Sequence, residues 1–535
     1  MVGLSQKQSL DCYCSIKNMF KDLKDIPSGS VLSYDVCIVG SGPAGITVAR
    51  QLLGAGYRIV LLESGGEFPE SKYQQLNKGE NSGASFLSLD ASRVRGFGGA
   101  SKLWAGVCSP FKSDDFNEKP FIPLSGWPIS FKELKVYYQQ AAKMLGISFR
   151  KFYGKDFFQD TFNGLSFNEF NRVDSFLSGR VFQISSPKNR DFGSKYKEEI
   201  NADKNTDVII HSTVTKINLD SLGSKVISVS IADLNGNKTN VHSKIFVLAC
   251  GAIENPRILL SSRDYYKRGI GNTSGFVGAC FMSHPGILNV AEIHRSKSGK
   301  CINKDNYSDD YIVQFGLSDK ERQKQEILDH GFSISNYSDL SNLSTIYTGK
   351  VLTDFDKLLS NFTFTDVYNK RQCRDKGKYT YSVLDLGISL EQPPLLKNRI
   401  SLLSKKDALG VPVVNIHWSD LSKIELKTIK KATLTLAREF GVSNSGRVKF
   451  TEKFLSGKGH KINDPVNHHI GTTRMSDTKK DGVVNKNCKV FDISNLYIAG
   501  SSVFSTSSKV NPTFTIIALA LRLGNHIKSL LNVNG

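Results

Sequence analysis

Three glycines, Gly40, Gly42 and Gly45, form a G-x-G-x-x-G pattern directly after an apolar segment at 36–39. In this pattern the first glycine permits a tight turn, the second lets backbone N–H groups approach a pyrophosphate, and the third lets a helix pack closely against a strand. Glu63 follows eighteen residues after Gly45, where a carboxylate can accept hydrogen bonds from an adenosine ribose. With the flanking elements in place, the pattern predicts dinucleotide binding rather than a purely structural turn.

A second glycine-rich segment at 93–106 contains Gly98, Gly99 and Trp104. Glycines allow a backbone to approach a ligand closely, and an indole can pack beside a ring system. These residue types fit a structural loop over a core tryptophan equally well. They also leave FAD and NAD open as the dinucleotide, although a single G-x-G-x-x-G pattern disfavours an enzyme that binds both through two such folds.

Near the C-terminal end, His468 and His469 precede Gly471, and Asn511 precedes a proline that opens an apolar helical pattern over about 513–531. A neutral imidazole can act as a base and a side-chain amide can donate a hydrogen bond, and loops over a rigid sheet commonly carry such groups. The same residues also fit a surface histidine pair and a helix N-cap. The residue types alone leave both interpretations open.

The elements that would position these residues follow an α/β pattern. Segments at 35–40 and 57–64 predict strands on either side of a helix, and apolar segments at 244–251 and 495–502 each precede a helical pattern. Strands that end in small residues before helices are typical of a parallel sheet with a ligand crevice at its carboxyl edge.

Other segments do not follow this alternation of strands and helices. Residues 381–392 and 398–404 predict strands around a proline turn, and the polar, irregular segment 296–380 contains a helical pattern at 318–331. The spacing of apolar residues over 7–24 predicts a short amphipathic helix.

The composition is that of a globular protein, with 39% hydrophobic and 22% charged residues in 535. The net charge of +20 favours anionic partners, but the lysines are scattered and no nucleic-acid-binding signature occurs, so nucleic acid is not an expected partner. Nine widely spaced cysteines without a C-x-x-C pair predict reduced thiols and no metal site. Because neither a signal peptide nor an 18-residue apolar stretch is recognised, we expect a cytoplasmic protein without a transmembrane segment.

The motifs together resemble those of the glucose-methanol-choline (GMC) oxidoreductase family. In chain order they are the glycine turn, GGASKLWAG at 98–106, the segment at 125–147, MSHP at 282–285, HHIGTTRM at 468–475 and NPTFTIIALALR at 511–522. The resemblance covers most of 34–530 and is weakest over 290–380. It implies an α/β fold (α+β overall), with a Rossmann-like FAD-binding domain and a discontinuous substrate domain built on an antiparallel sheet. The implied reaction is oxidation of a CH–OH group to a carbonyl.

The resemblance also implies roles for individual residues. The family's H-x-x-G histidine falls on His468, which would take the hydroxyl proton while a hydride passes to flavin N5, and the position before a proline falls on Asn511, which would hold the substrate oxygen. Arg474 is interpreted as a structural ion-pairing residue. The expected cofactor-binding residues are Gly40, Gly42, Gly45, Glu63, Gly98, Gly99, Ser101, Trp104, Val214, Gly500, Ser501, Pro512 and Thr513.

Two departures from the family pattern change what is expected of the cofactor. Leu103 stands where some sugar oxidases attach FAD to a histidine, so we expect non-covalent FAD. Gly500 stands where many members carry an aspartate, so backbone amides must serve the flavin there. The cysteine-rich insertion of membrane-linked sugar dehydrogenases is also missing, which disfavours electron transfer through an iron–sulfur cluster.

The predicted FAD-binding domain comprises 34–135, 201–285 and 456–535, and the predicted substrate-binding domain comprises 136–200 and 286–455, after an N-terminal extension at 1–33. The segment at 185–200 is similar to that of bacterial members that oxidise sugars or aminosugars. A polyhydroxylated substrate is therefore preferred, with oxygen or a separate soluble acceptor receiving the electrons. Two alternatives remain: a lyase of the same fold with a structural flavin, and a non-catalytic flavin-binding protein that uses its basic surface.

Overall fold

A computed structural model describes residues 20–83, 89–153, 161–162, 165–166, 175–295, 311–336, 383–443, 446–457, 462–463 and 467–533. Most of the predicted polar segment 296–380 lies outside these residues, as do residues 7–19 of the predicted N-terminal helix.

The strands of the described part are short to medium in length. In chain order they are β1 (Phe20–Asp22), β2 (Val31–Val39), β3 (Ile59–Leu62), β4 (Gly79–Gly83), β5 (Val107–Cys108), β6 (Thr161–Phe162), β7 (Leu165–Ser166), β8 (Leu177–Ile184), β9 (Thr206–Ile210), β10 (Thr213–Leu219), β11 (Val226–Ala232), β12 (Lys238–Leu248), β13 (Gly286–Arg295), β14 (Tyr311–Leu317), β15 (His330–Asn336), β16 (Val383–Leu390), β17 (Arg399–Lys406), β18 (Pro412–Trp418), β19 (Gly446–Phe450), β20 (Ile462–Asn463) and β21 (Leu496–Ile498).

The α-helices alternate with these strands. They are α1 (Pro43–Leu52), α2 (Ser71–Gln74), α3 (Ser113–Phe116), α4 (Phe131–Leu145), α5 (Pro187–Arg190), α6 (Phe192–Asn201), α7 (Gly251–Ser261), α8 (Asp319–Gln325), α9 (Lys423–Val442), α10 (Glu452–Ser456) and α11 (Thr513–Val533).

The largest sheet carries the predicted βαβ unit. Its strand order is β1-β9-β3-β2-β12-β11-β10, and β21 pairs with the end of β12. The pairing is parallel from β1 to β12 and between β12 and β21, and antiparallel from β12 through β11 to β10. The last four residues of β2, at 36–39, are all buried, as is typical of a parallel strand covered on both faces.

Three strands of this sheet end at the same level. Val39 of β2 pairs with Leu248 of β12, and Leu248 pairs with Ile498 of β21, so the residues that follow each strand leave from one edge. Gly42 is the N-cap residue of α1, and Pro43 occupies the first helical position. The fixed φ angle of proline suits the start of a helix. The predicted α/β pattern with a parallel sheet is confirmed.

A second, antiparallel sheet has the order β15-β16-β13-β19, with β20 on β13, and it encloses a separate apolar core with α9. Helix α9 begins at a capping box in which Ser422 and Glu425 exchange hydrogen bonds with each other's backbone N–H groups. Smaller sheets join β14, β8 and β5, and β17, β18 and β4. The strands predicted at 381–392 and 398–404 correspond to β16 and β17, and the predicted helical pattern at 318–331 contains α8.

The prediction of a helix over 7–24 is wrong for residues 20–22. Residues 20–22 form β1, which pairs in parallel with β9 through Phe20 and Val208, because the edge of β9 offers N–H and C=O groups that a strand can pair. The predicted domain boundary at 135/136 falls inside α4, and the buried face of this helix lies in the core of the largest sheet.

Helix α11 is the longest helix of the described part and lies in the main core. By length and composition alone it could cross a membrane, with a mean hydropathy of 1.2 over its most apolar window. However, 61% of that window is buried inside the protein, where α11 packs against α1 and α4. Gly524 permits this close packing, because an added Cβ would stand 2.6 Å from the Cβ of Gln51.

We predict that Phe514→Ala lowers the free energy of unfolding by about 3–5 kcal/mol, because it empties a buried site between Tyr138 and Phe152. Chemical denaturation followed by circular dichroism measures the change. Val533→Ala at the end of the same helix is the matched control, since Val533 is 85% exposed, and should stay within about 0.5 kcal/mol. Equal effects of the two substitutions would contradict this account of the core.

Candidate functional site

The predicted glycine turn forms a cradle at the carboxyl edge of the largest sheet. An added Cβ at Gly45 would lie 1.9 Å from the carbonyl oxygen of Gly40, and one at Gly40 would lie 2.8 Å from the carbonyl oxygen of Ala249, so both positions require glycine. At Gly42 an added Cβ would meet nothing within 4 Å. The turn is therefore packed tightly toward the sheet and open on the side where a pyrophosphate would lie.

The carboxylate of Glu63 lies beneath this turn and is 5% exposed. Its Oε2 accepts hydrogen bonds from the backbone N–H of Ser41 at 3.2 Å and from the Ser41 hydroxyl. Its Oε1 accepts from the N–H groups of Gly65 and Gly96 at 2.9 and 3.0 Å. Glu63 thus connects the glycine turn to the segment that leads into the second glycine loop.

The loop around Gly98 and Gly99 contacts the cradle directly. The N–H of Gly98 donates to the Ser41 carbonyl at 3.1 Å, and an added Cβ on Gly99 would stand 3.0 Å from the Cα of Gly42. The hydroxyl of Ser101 donates to the Gly98 carbonyl at 2.6 Å. The structure therefore brings together the two glycine motifs, which are more than fifty residues apart in sequence.

Trp104 and Val214 lie at the margins of this arrangement. The indole N–H of Trp104 donates to the carbonyl of Arg190 at 2.9 Å, which ties the loop to α5. Val214 is buried in β10, and the hydroxyl of its neighbour Thr213 lies 2.6 Å from that of Ser64 at the end of β3. Val214 is therefore the neighbour of a residue that contacts the segment after Glu63, and its adenine contact stays a prediction.

Backbone hydrogen bonds join three segments around the predicted catalytic residues: MSHP, HHIGTTRM and the residues that follow β21. Met282 and Ile470 exchange two backbone hydrogen bonds of 3.0 Å, which joins MSHP to HHIGTTRM. The N–H groups of Gly471, Thr473 and Met475 donate to the carbonyls of 501–503 at 2.8–3.0 Å. An added Cβ on Gly471 would lie 2.5 Å from the carbonyl oxygen of Cys280, so this close approach requires glycine.

The predicted residues at 500–513 follow β21 along one continuous path. Gly500 has φ +111°, a conformation that favours glycine, and an added Cβ there would meet only Ala44 at 4.0 Å. Ser501 is buried, and its hydroxyl donates to the carbonyl of His469 at 2.6 Å. Asn511 is partly exposed and directly precedes Pro512 and Thr513, where α11 begins.

The imidazole of His468 contacts a second histidine that the sequence analysis did not assign to the site. Its Nδ1 lies 2.8 Å from Nδ1 of His284, and Nε2 of His284 lies 3.3 Å from the carbonyl oxygen of Ser507. His284 thereby connects His468 to the loop that ends at Asn511. The only sequence signal for His284 is its place in the MSHP motif, because 184 residues separate it from His468.

The buried environment of the site keeps its histidines neutral near pH 7. Burial, which penalises the charged imidazolium, lowers the pKa of His468 well below its usual value. Burial lowers the pKa of His284 to about 4, and burial together with Arg93 lowers that of His469 to about 3. A neutral imidazole at position 468 has a lone pair available for a proton.

A buried ionic cluster holds the loop before Asn511 against the antiparallel sheet. The carboxylate of Asp329 lies 3.0 Å from Arg180, 3.6 Å from Arg322 and 4.0 Å from Nζ of Lys509, and all four side chains are about 5% exposed or less. Nζ of Lys509 also donates to the carbonyl of His330 at 2.7 Å. Burial lowers the pKa of Lys509 to about 7, although Asp329 opposes this shift.

Two arginine-containing features complete the surroundings. Burial alone would raise the pKa of Glu254, but the guanidinium groups of Arg257, Arg95 and Arg93 hold it well below its usual range. Within the described residues, Arg474 donates to the backbone carbonyls of Asp481 and Leu124 rather than forming the expected ion pair. Among the same residues, no cluster of histidine, cysteine and acidic side chains could hold a metal ion.

A glycine cradle at the carboxyl edge of parallel strands is the arrangement with which α/β proteins bind a dinucleotide. Comparison with protein families gives two matches to GMC oxidoreductase models, at residues 192–286 and 394–520. Over these residues the chain is similar to the GMC oxidoreductases, and it is an enzyme of that kind. FAD is the cofactor that this similarity implies, and the open side of Gly42 together with the donor-rich turn fits a dinucleotide.

Individual relatives are distant but align over nearly the whole chain. The 2-methyl-1,2-propanediol dehydrogenase of Mycolicibacterium austroafricanum is 24% identical over 92% of this chain and 95% of its own. The fructose dehydrogenase large subunit of Gluconobacter japonicus is 23% identical over 94% and 98%, and the 6'''-hydroxyparomomycin C oxidase of Streptomyces lividus is 22% identical over 93% and 92%. A crystal structure of formate oxidase has the same fold, with a TM-score of 0.56, 15% identity and coverage of 94% and 99%.

We predict that Gly45→Ala abolishes stoichiometric FAD binding, because the new methyl group would force α1 away from the carbonyl of Gly40. The flavin-to-protein ratio of the purified variant, taken from its absorbance spectrum, measures the effect. Gly441→Ala is the matched control, since an added Cβ in α9 would meet nothing within 4 Å. Full flavin occupancy in Gly45→Ala would contradict the assigned cradle.

Proposed function

We propose that this enzyme oxidises a CH–OH group of a polyhydroxylated small molecule, such as a sugar, an aminosugar or a derivative of one, to a carbonyl. The observation that carries the proposal is the position of His468, a neutral imidazole that is held by His284 beside the loop leading to Asn511. The open cradle at Gly42 supplies the adjoining place for the cofactor.

The residues divide the work of such an oxidation. The turn around Gly42, the loop around Gly99 and the segment after Gly500 would hold FAD, whose flavin ring supplies a hydride acceptor at N5. His468 accepts the proton of the substrate hydroxyl, because its lowered pKa leaves the imidazole unprotonated near pH 7. Asn511 donates a hydrogen bond from its side-chain amide to the same oxygen and so fixes the carbon that loses the hydride.

The choice of a polyhydroxylated substrate rests on two kinds of support. The relatives include enzymes named for fructose, for 6'''-hydroxyparomomycin C and for 2-methyl-1,2-propanediol, and each of these compounds carries hydroxyl groups. The similarity of 185–200 to sugar-oxidising members of the family points the same way. We further propose a two-domain division in which helix α4 belongs to the FAD-binding part, with whose core it packs. We also propose a cytoplasmic location, and oxygen or a separate soluble acceptor as the oxidant of the reduced cofactor.

We predict that anaerobic addition of the correct polyol or sugar bleaches the flavin absorbance of the wild-type enzyme, and that His468→Ala slows this reduction by at least about 100-fold while FAD stays bound. Stopped-flow absorbance measures both. His417→Ala, a histidine that contacts Ser82 on the small sheet of β4 and β18, is the matched control and should reduce at the wild-type rate.

The outcome separates the proposed oxidoreductase from its alternatives. A yellow enzyme that no sugar, aminosugar or simple alcohol bleaches would favour a lyase with a structural flavin. Salt-sensitive binding to anionic vesicles without turnover would favour a non-catalytic flavin-binding protein with a basic surface. Undiminished reduction in His468→Ala would remove His468 from the mechanism.

We predict that acid precipitation of the purified enzyme releases all of its flavin into the supernatant. The residue before Trp104 is Leu103, whose side chain has no nucleophilic atom for a covalent bond to the isoalloxazine ring. Absorbance of the supernatant and the pellet measures the partition. Flavin that stays with the pellet would show a covalent link at another residue.

A further inference from the structure

The contact between His284 and His468 gives three of their four ring nitrogens a defined partner. The two Nδ1 atoms lie 2.8 Å apart with the rings nearly perpendicular, at an interplanar angle of 76°. His284 is only 5% exposed. In a pair of neutral imidazoles at this distance, one Nδ1 must carry a hydrogen and the other must accept it.

The carbonyl oxygen of Ser507 decides which nitrogen carries the hydrogen. It lies 3.3 Å from Nε2 of His284 and can only accept, so Nε2 of His284 must be protonated. A neutral imidazole holds one hydrogen, and Nδ1 of His284 is therefore an acceptor. His468 must then donate from its own Nδ1, which leaves the lone pair of His468 on Nε2.

The Ser507 carbonyl is itself held in place. The hydroxyl of Ser507 donates to the carbonyl of Gln392 at 3.1 Å and accepts from the N–H of Gln392 at 3.0 Å. The side-chain oxygen of Gln392 accepts from the N–H of Ser283 and from the indole of Trp418, both at 2.9 Å. Gln392 thus forms hydrogen bonds with Ser507 and with Ser283, the residue before His284, and so holds both His284 and the Ser507 carbonyl in place.

We propose that His284 is a positioning residue that fixes His468 in the tautomer with a free Nε2, aimed at the substrate hydroxyl. The inference rests on the proposed function for its use in catalysis, and on the contacts of His284 alone for the tautomer. When Nε2 of His468 takes the hydroxyl proton, the ring becomes an imidazolium whose Nδ1–H already donates to the lone pair of His284. A charge-assisted hydrogen bond of this kind stabilises the protonated base.

Two substitutions test the positioning role in the FAD-loaded enzyme. His284→Leu removes both nitrogens and should lower the rate constant of flavin reduction by about 10- to 100-fold, with the dissociation constant of the donor and the FAD content nearly unchanged. His284→Asn places an amide oxygen near the former Nδ1 and should recover most of the rate. A rate of His284→Leu equal to that of the wild type would overturn the proposal, as would a rate of His284→Asn no higher than that of His284→Leu.

The tautomer is measured without any substrate. In the wild-type protein labelled with ¹⁵N-histidine, the resonances of His468 are assigned by their loss in His468→Gln, and we expect a protonated Nδ1 and an unprotonated Nε2. In His284→Asn this pattern should persist, whereas in His284→Leu the two tautomers should mix. A hydrogen on Nε2 of His468 in the wild type would overturn the proposal.

The rate of flavin reduction and the nitrogen resonances test different claims, so each can fail without the other. If no donor bleaches the wild-type flavin, the proposed function fails, and the nitrogen resonances still decide whether His284 sets the tautomer. If bleaching occurs but His468 carries its hydrogen on Nε2, the oxidoreductase function stands and the positioning role is overturned. His417→Leu serves as the control for both measurements, since His417 lies on the small β4–β18 sheet.

Discussion

The common ending of β2, β12 and β21 is the constraint on which the site depends. Val39, Leu248 and Ile498 are paired across three parallel strands, so the glycine turn, the start of α7 and the segment at 499–511 leave the sheet at one edge. Further backbone hydrogen bonds continue the alignment, from Ala249 to Val39 and from Ala499 to Leu248. A shift of one residue in either pairing would separate the cradle from the catalytic loop.

The catalytic end adds a second layer of restraint that comes from polar groups rather than from apolar packing. HHIGTTRM is joined by backbone hydrogen bonds to MSHP on one side and to 501–503 on the other, so His468 has little freedom to move. An unpaired buried polar group costs about 1–3 kcal/mol. The His468–His284–Ser507 contacts pair three of the four ring nitrogens, and the proposed protonation pattern rests on this pairing.

The buried cluster around Asp329 explains how a loop rich in serine is kept rigid. Arg180 on β8 and Lys509 on the catalytic loop converge on one carboxylate at the start of β15. Buried ion pairs add little net stability, but removal of one partner leaves a buried charge and costs about 3–5 kcal/mol. The cluster therefore fixes how the catalytic loop lies against the antiparallel sheet.

The sequence by itself determined the parts of this protein that depend on local pattern. Continuous apolar strands, glycines at fixed spacing and the Asn511–Pro512 helix start are set by residues close together in the chain, so the α/β fold and the cradle could be predicted. Tertiary structure alone decided which distant groups meet. The strand at Phe20–Asp22 exists because β9 has a free edge to pair, and His284 reaches His468 because the sheet brings together segments 184 residues apart. Contacts of this kind leave no periodicity in the sequence, since the energy that forms them comes from pairing and burial in the finished fold.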